Sequence, residues 1–394
     1  MLHYSYYQKF YILLLMNSFK QPFLKIYLPA LLTAVASFFI SCDKNSPADE
    51  NTRSFYMGTT PWPADFTAAE VDTAYQFINE HCDIISHHFD DGIPYEEVYT
   101  GQPFPVAMQQ DIQTRLTKTN PGKKVFLSVA ALNITRQEKP EYYNQSAVST
   151  GIKDAWKLKP VNDPAVITAY LEYISRLIDA LNPVMVNFAV ESNMSLFPSA
   201  SFLQYKEFIA QVYPALKSKY PAIPFFVSFM VDETNTGFEY ARQLLPYTDY
   251  IGLSAYPYTG VTSSANGNTD PSRFPAGYFD RYIRMADKPL AFAETGYIAE
   301  NLLVPSYNLN KQGLETWQRD YFELICRICN ENRAKLLIWF CSKDYDAGNI
   351  RLQSLGLYQD LFALWQDIGL KDPAGRSRPV MQSWLGWMQK KKTD

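Results

Sequence analysis

The sequence predicts an α/β fold, a (β/α)8 TIM barrel, on three observations. Eight short apolar runs recur along the chain, most of them separated by capped helical patterns. Polar and charged residues cluster directly after these runs, where a barrel builds its ligand site. The chain is 394 residues long, enough for one barrel with insertions after an N-terminal segment. An open doubly wound sheet is the competing arrangement, but it lacks support: neither the glycine-rich dinucleotide fingerprint nor a P-loop is present.

The first predicted strand is Phe55 to Thr60, followed by Pro61-Trp62-Pro63 and a capping box, Thr67-x-x-Glu70, that opens a helix through Glu80. Asp83 to His88 forms the second strand, and a helix around Pro105 to Lys118 leads to the third, Lys124 to Ala130. A long loop from Ala131 to Asn162 precedes a helix that starts at Asp163-Pro164, an N-cap with proline at the first helical position. Spacers then shorten. Strand four is Val184 to Val190, and a helix over about Phe202 to Tyr220 leads to strand five, Phe225 to Phe229. A helix through Leu245 leads to strand six, Tyr250 to Ser254; Leu290 to Ala293 and Lys335 to Phe340 complete the set, with a last helix at Met381 to Met388.

Ahead of the barrel, Lys20 and Lys25 precede an uncharged apolar run, Ile26 to Ile40, shorter than the ~20 residues a spanning helix needs. It ends in Ser41-Cys42 and resembles a bacterial lipoprotein signal, which implies lipidation of Cys42. Residues 1–42 are accordingly read as a signal peptide, 43–53 as a tether and 54–394 as the barrel domain. The expected protein is exported, lipid-anchored to the cell envelope and monomeric. A net charge of -4 and the absence of a dense basic run outside Lys390-Lys391-Lys392 argue against a nucleic-acid partner. Cys326 and Cys329 have CxxC spacing, but on an apolar helical face this reads as packing; no second pair completes a metal site, and no cofactor is expected.

The residues just after the runs define the candidate site. Glu191 follows strand four, and Glu294 ends strand seven inside Leu290-Ala-Phe-Ala-Glu-Thr-Gly-Tyr297. A carboxylate at the end of a buried strand is costly unless it is paired or used. Two such carboxylates across a barrel mouth suit glycoside hydrolysis, in which one protonates the leaving oxygen and the other attacks the anomeric carbon. Trp62, His88, Asn193, Tyr256 and Trp339 are the candidate sugar contacts, and Asn133 and Ser228 also fall at strand ends. His87 and His88 are adjacent, so only one of them faces the mouth. Glu233 and Glu300 are rival carboxylates lying further beyond their strands. Long aromatic loops after strands three, six and eight suit an oligo- or polysaccharide.

This ordered set resembles the clan A retaining glycoside hydrolases: Glu191 as acid, Glu294 as nucleophile in an E-T-G-Y turn, Tyr256 in Leu253-Ser-Ala-Tyr-Pro257 and Trp339 on strand eight. The strand-six motif is nearest the endo-β-1,4-galactanase branch. A retaining pair implies carboxyl groups ~5 to 5.5 Å apart. The chain departs at Val190, where the clan usually has an asparagine that bonds the sugar 2-hydroxyl; either Asn193 or another polar group supplies that bond, or the site binds sugar without turning it over quickly. The alternative is a non-catalytic glycan-binding lipoprotein on a degenerate glycosidase barrel. Other hydrolase classes fit less well: there is no G-x-S-x-G elbow, and a D-x-D-x-E chitinase pattern would need acids where Asn187 and Ala189 stand.

Overall fold

A computed structural model describes residues 51–231, 233–260 and 269–393; Cys42 and the apolar run before it lie outside the described residues. Eight parallel strands close into a barrel, as the sequence predicts. They are β1 (Tyr56–Thr59), β2 (Ile84–Phe89), β3 (Lys124–Val129), β4 (Met185–Ala189), β5 (Phe225–Met230), β6 (Ile251–Ala255), β7 (Leu290–Thr295) and β8 (Leu336–Trp339). Consecutive strands are neighbours throughout, and β8 pairs with β1 from Leu336↔Tyr56 to Trp339↔Thr59, which leaves the barrel sheet without an edge.

Among the described residues, seven helices of ten residues or more pack outside: α1 (Ala68–His81), α2 (Val106–Lys118), α3 (Pro164–Leu181), α4 (Ser199–Lys219), α5 (Asn235–Leu244), α6 (Glu315–Glu331) and α7 (Pro379–Gln389). The caps behave as their chemistry requires. Asp163 accepts the Ala165 N–H at 2.8 Å, with Pro164 at the first helical position of α3. Thr67 accepts the Glu70 N–H at 3.3 Å, but Glu70 pairs with Lys343 at 3.0 Å, so the box is closed on one side only. Among its described residues the β6–β7 connection holds one α-helix, the four-residue Asp280–Ile283, and the long loop after β3 carries its own helix, Thr150–Lys157. Cys82, Cys326, Cys329 and Cys341 are buried free thiols, and the CxxC pair packs on α6. Among the described residues no helix is long and apolar enough to cross a membrane.

Period-two alternation sorts each strand into an inner and an outer face. Ile84, Phe126, Met185, Phe226, Leu336 and Ile338 form an apolar floor inside the barrel. Gly252 makes room for it: a Cβ there would stand 2.7 Å from the Phe226 ring. Two residues further along the same faces come Ser86, Ser128, Asn187, Ser228 and Ser254, all buried. Asn187 joins this layer, donating to Ser128 at 3.3 Å and Ser228 at 3.0 Å. The inner face therefore changes from apolar floor to hydroxyl-lined layer to ionisable mouth, and the chemistry can only sit at the C-terminal ends.

Candidate active site

Glu191 leaves β4 in the left-handed region, at φ 49°, an unfavourable conformation for a non-glycine residue that survives only where its surroundings fix it. Those surroundings are a register shift between β4 and β5 after Asn187, and Ser228 Oγ, which accepts the Glu191 N–H at 3.0 Å. Ser254 on β6 then donates to Glu191 Oε1 at 2.7 Å. Ser254 is the register partner of Glu294, beside a shift in the β6–β7 pairing. The two glutamates thus stand on either side of one serine, both partly open to the cleft, with side chains 13% and 19% exposed.

Glu294 has a different set of partners. Tyr256 donates its hydroxyl to Oε1 at 2.5 Å, and His88 Nδ1 lies 3.9 Å from Oε2. Burial, and then the charge of Glu191, raise the Glu294 pKa, while His88, the Tyr256 hydrogen bond and Arg136 oppose that shift. His88 also meets Asp90 across 3.4 Å. Burial works against a charge on both. The pair prevails: Asp90 falls to about 2 beside His88, and His88 rises beside Asp90 and Glu294. His87 points to the opposite side of β2, where it is buried against Thr119 at 3.3 Å, so of the two histidines it is His88 that faces the mouth.

Arg136 is a site residue that its sequence position does not reveal. Asn133, at the end of β3, accepts at its side-chain oxygen from Thr135 Oγ1 and from the backbone of Gln137 and Glu138. The tight loop so formed holds Arg136 at φ 57° and turns its guanidinium inward. Nε donates to Glu191 Oε2 at 3.1 Å and Nη1 to the Asn133 carbonyl at 3.0 Å. Both Glu191 oxygens are therefore engaged, one by a hydroxyl and one by a charge.

Two expected sugar contacts are corrected. Asn193 is fully buried; its amide donates to the carbonyls of Met230 at 3.0 Å and Gly237 at 3.1 Å, and its oxygen accepts the Met230 N–H at 2.7 Å. It ties the β4 loop to β5 and α5 and is not free to replace the asparagine missing at Val190. Trp339 is also fully buried, donating to the Ile368 carbonyl at 2.6 Å and packing on Phe322. The reason is alternation. Leu336 and Ile338 face inward, so Trp339 faces α6 and Phe340 takes the next inward place. Phe340 packs with Trp62 at 5.7 Å and Trp365 at 6.4 Å, and Trp365 meets Tyr256 at 5.9 Å. This aromatic wall runs from Trp62 to Tyr256. Counting inward positions from Ile338 would have found Phe340; no sequence signal marks Trp365.

The rival carboxylates are placed elsewhere. Glu300 is paired with Arg378 at 2.6 Å, and Glu233 is exposed on the rim. Among the described residues one acidic group, Asp344, Asp346 and Asp367, brings oxygens within 4.8 Å of one another, and Arg378 already neutralises Asp344 there.

No family model and no curated protein sequence matches the chain. Solved structures do. A GH5_18 protein from Bifidobacterium longum subsp. infantis aligns with TM-score 0.58 at 13% identity, over 86% of this chain and 80% of that one. Xylanase 10B from Thermotoga maritima aligns with TM-score 0.52 at 11% identity, over 87% and 96%. An exo-beta-1,4-mannosidase from an Opitutaceae bacterium aligns with TM-score 0.55 at 14% identity, over 85% of this chain but only 59% of its own length. The fold is that of (β/α)8-barrel glycoside hydrolases, and at these identities the likeness concerns the fold.

Proposed function

We propose that the protein is a retaining glycoside hydrolase acting on an oligo- or polysaccharide, with Glu294 as nucleophile and Glu191 as acid and base. The observation that carries this reading is the asymmetric setting of two adjacent glutamates at the barrel mouth. Glu294 accepts a tyrosine hydroxyl and lies near His88, so its attacking oxygens are oriented. Glu191 sits beside it on a strained turn, and its proton transfer requires the Arg136 contact to loosen as sugar enters. The wall of Trp62, Phe340 and Trp365 offers flat faces for sugar rings. Galactan is the leaning that the Leu253 to Pro257 motif gives. A panel of plant and microbial glycans, with the anomer of the first-formed product read by NMR, tests the reading. Inverted product, or cleavage confined to aryl monosaccharides, would overturn it.

A second reading has its own support. Val190 and the Arg136–Glu191 ion pair both fit a barrel that binds glycan without turning it over. Saturable glycan binding without product on the same panel would establish it.

Tyr256 provides a finer test. Its hydrogen bond favours the ionised form of Glu294, against burial and the Glu191 charge. Since a nucleophile must be ionised, the acidic limb of the kcat/KM profile lies above the ordinary glutamate range. Tyr256→Phe removes a stabilising donor and moves that limb to still higher pH. A limb that stays in place would separate Tyr256 from the ionisation of Glu294.

For location, we propose acylation at Cys42 and attachment to an envelope membrane. Mass spectrometry of the membrane fraction should find the lipid on Cys42; a soluble protein with an intact N-terminus would exclude it.

A further inference from the structure

The end of the barrel opposite the site carries a basic surface that sugar chemistry does not use. Two half-buried tyrosines, Tyr56 and Tyr250, close the apolar floor there. Tyr56 is the hub of a lysine cluster. Its N–H donates to the Lys335 carbonyl at 3.1 Å, and Lys124 and Lys392 place their Nζ atoms 5.5 and 4.3 Å from its ring centroid. Lys391 and Lys392 are fixed at this end because they pair as a strand with Thr52–Arg53. Lys390 lies 3.6 Å above the Trp387 ring.

Two of the acids that flank this cluster are paired with cations, and a third, Glu323, accepts from Trp387 Nε1 at 2.9 Å. Asp83 is held by Arg53 at 2.7 Å, and Asp249 by Lys217 at 3.0 Å and Tyr213 at 2.7 Å. Lys124, Lys335, Lys390 and Lys391 have no carboxylate partner among the described residues. The base is thus positive in a chain whose net charge is -4. The chain also enters at the base: the Asn51 carbonyl accepts the Lys391 N–H at 2.9 Å. Cys42 lies nine residues earlier in the sequence, a reach of ~30 Å when extended.

We propose that this basal face docks on the anionic headgroups of a phospholipid bilayer and holds the cleft turned away from it. Lysines beside an anionic leaflet each strengthen attachment roughly fivefold. Tyrosines with lysine stems around them suit the boundary between headgroups and water. Attachment at Cys42 is what brings the base to the bilayer, so the inference rests on that reading for delivery but not for orientation.

Amine acylation of the full chain, followed by mass spectrometry, tests it on vesicles of phosphatidylcholine with and without phosphatidylglycerol. On the anionic vesicles Lys124, Lys335 and Lys391 should react at least about tenfold more slowly, and high salt should abolish the protection. Lys157, exposed on the loop after β3 at the mouth, should react unchanged. The variant Lys124→Glu/Lys391→Glu should lose protection at Lys335. Binding to both vesicle types without lysine protection would overturn the docking and leave the anchor standing. Protection of Lys157 instead, no vesicle association at all, or protection by a soluble polyanion such as heparin but not by the anionic vesicles would each overturn it as well.

Discussion

Glu294→Ala is expected to lower kcat/KM roughly ten-thousandfold or more on every glycan the protein cleaves. Without this carboxylate no glycosyl-enzyme can form. Glu191→Ala is expected to behave differently: a loss of roughly a hundredfold to ten-thousandfold where the leaving oxygen needs a proton, and little loss of the first step on activated aryl substrates. On such substrates the Glu191 variant should accumulate glycosyl-enzyme, and added azide should release a glycosyl azide of retained configuration. Azide would do this because it is a nucleophile that needs no general base. Rescue with retention in the Glu294 variant would exchange the two roles. Equal small losses in both variants would favour the glycan-binding reading, in which Arg136 keeps Glu191 permanently engaged.

Arg378→Met is expected to have the largest effect on stability. Its side chain is 2% exposed and bonds Asp344, which is fully covered, together with Glu300 at 2.6 Å and Glu315 at 2.7 Å. Asp367 and Asp346 stand close to Asp344. Removing the one guanidinium leaves a buried acid without its cation, which costs up to about 3 to 5 kcal/mol; the full amount applies only while Asp344 stays ionised, since burial pushes its carboxyl up to about 8. Urea unfolding would register this as a lower midpoint with an unchanged slope. Asp344→Leu in the same chain should recover part of the loss, because the double replacement also removes the most deeply buried acid of the cluster. An Arg378→Met protein as stable as the parent would mean that the cluster is protonated or otherwise satisfied in the fold. The loops after β7 and β8 that wall the mouth meet at this cluster, so the same variant should also weaken glycan binding.

The sequence specifies the strands and several of the helix starts, because these signals are local. Apolar runs a few residues long mark the strands, and Asp163-Pro164 caps α3 as its chemistry requires. It also determined that Glu191 and Glu294 end strands whose C-terminal ends share one face, since parallel strands all point the same way. Alternation over two residues was enough to limit the His87–His88 pair to a single mouth residue. Which distant groups meet is a matter of packing between elements. Whether Trp339 or Phe340 faces inward depends on which side of β8 the floor occupies, and local hydrophobicity is the same for both. Asn193 and Arg136 are polar residues in loops of similar composition, yet contacts with Met230 and Gly237 turn one into the protein, and the Asn133 turn aims the other at Glu191. Ser254 reaches Glu191 because shifts in strand register place the two across one another. Tyr56 meets Lys124, Lys392 and the Lys335 carbonyl because closing the barrel sets β8 beside β1, and the C-terminal strand of Lys391 and Lys392 pairs with Thr52–Arg53. Register, closure and loop docking are set by contacts between residues far apart in the chain, and no short stretch of sequence carries them.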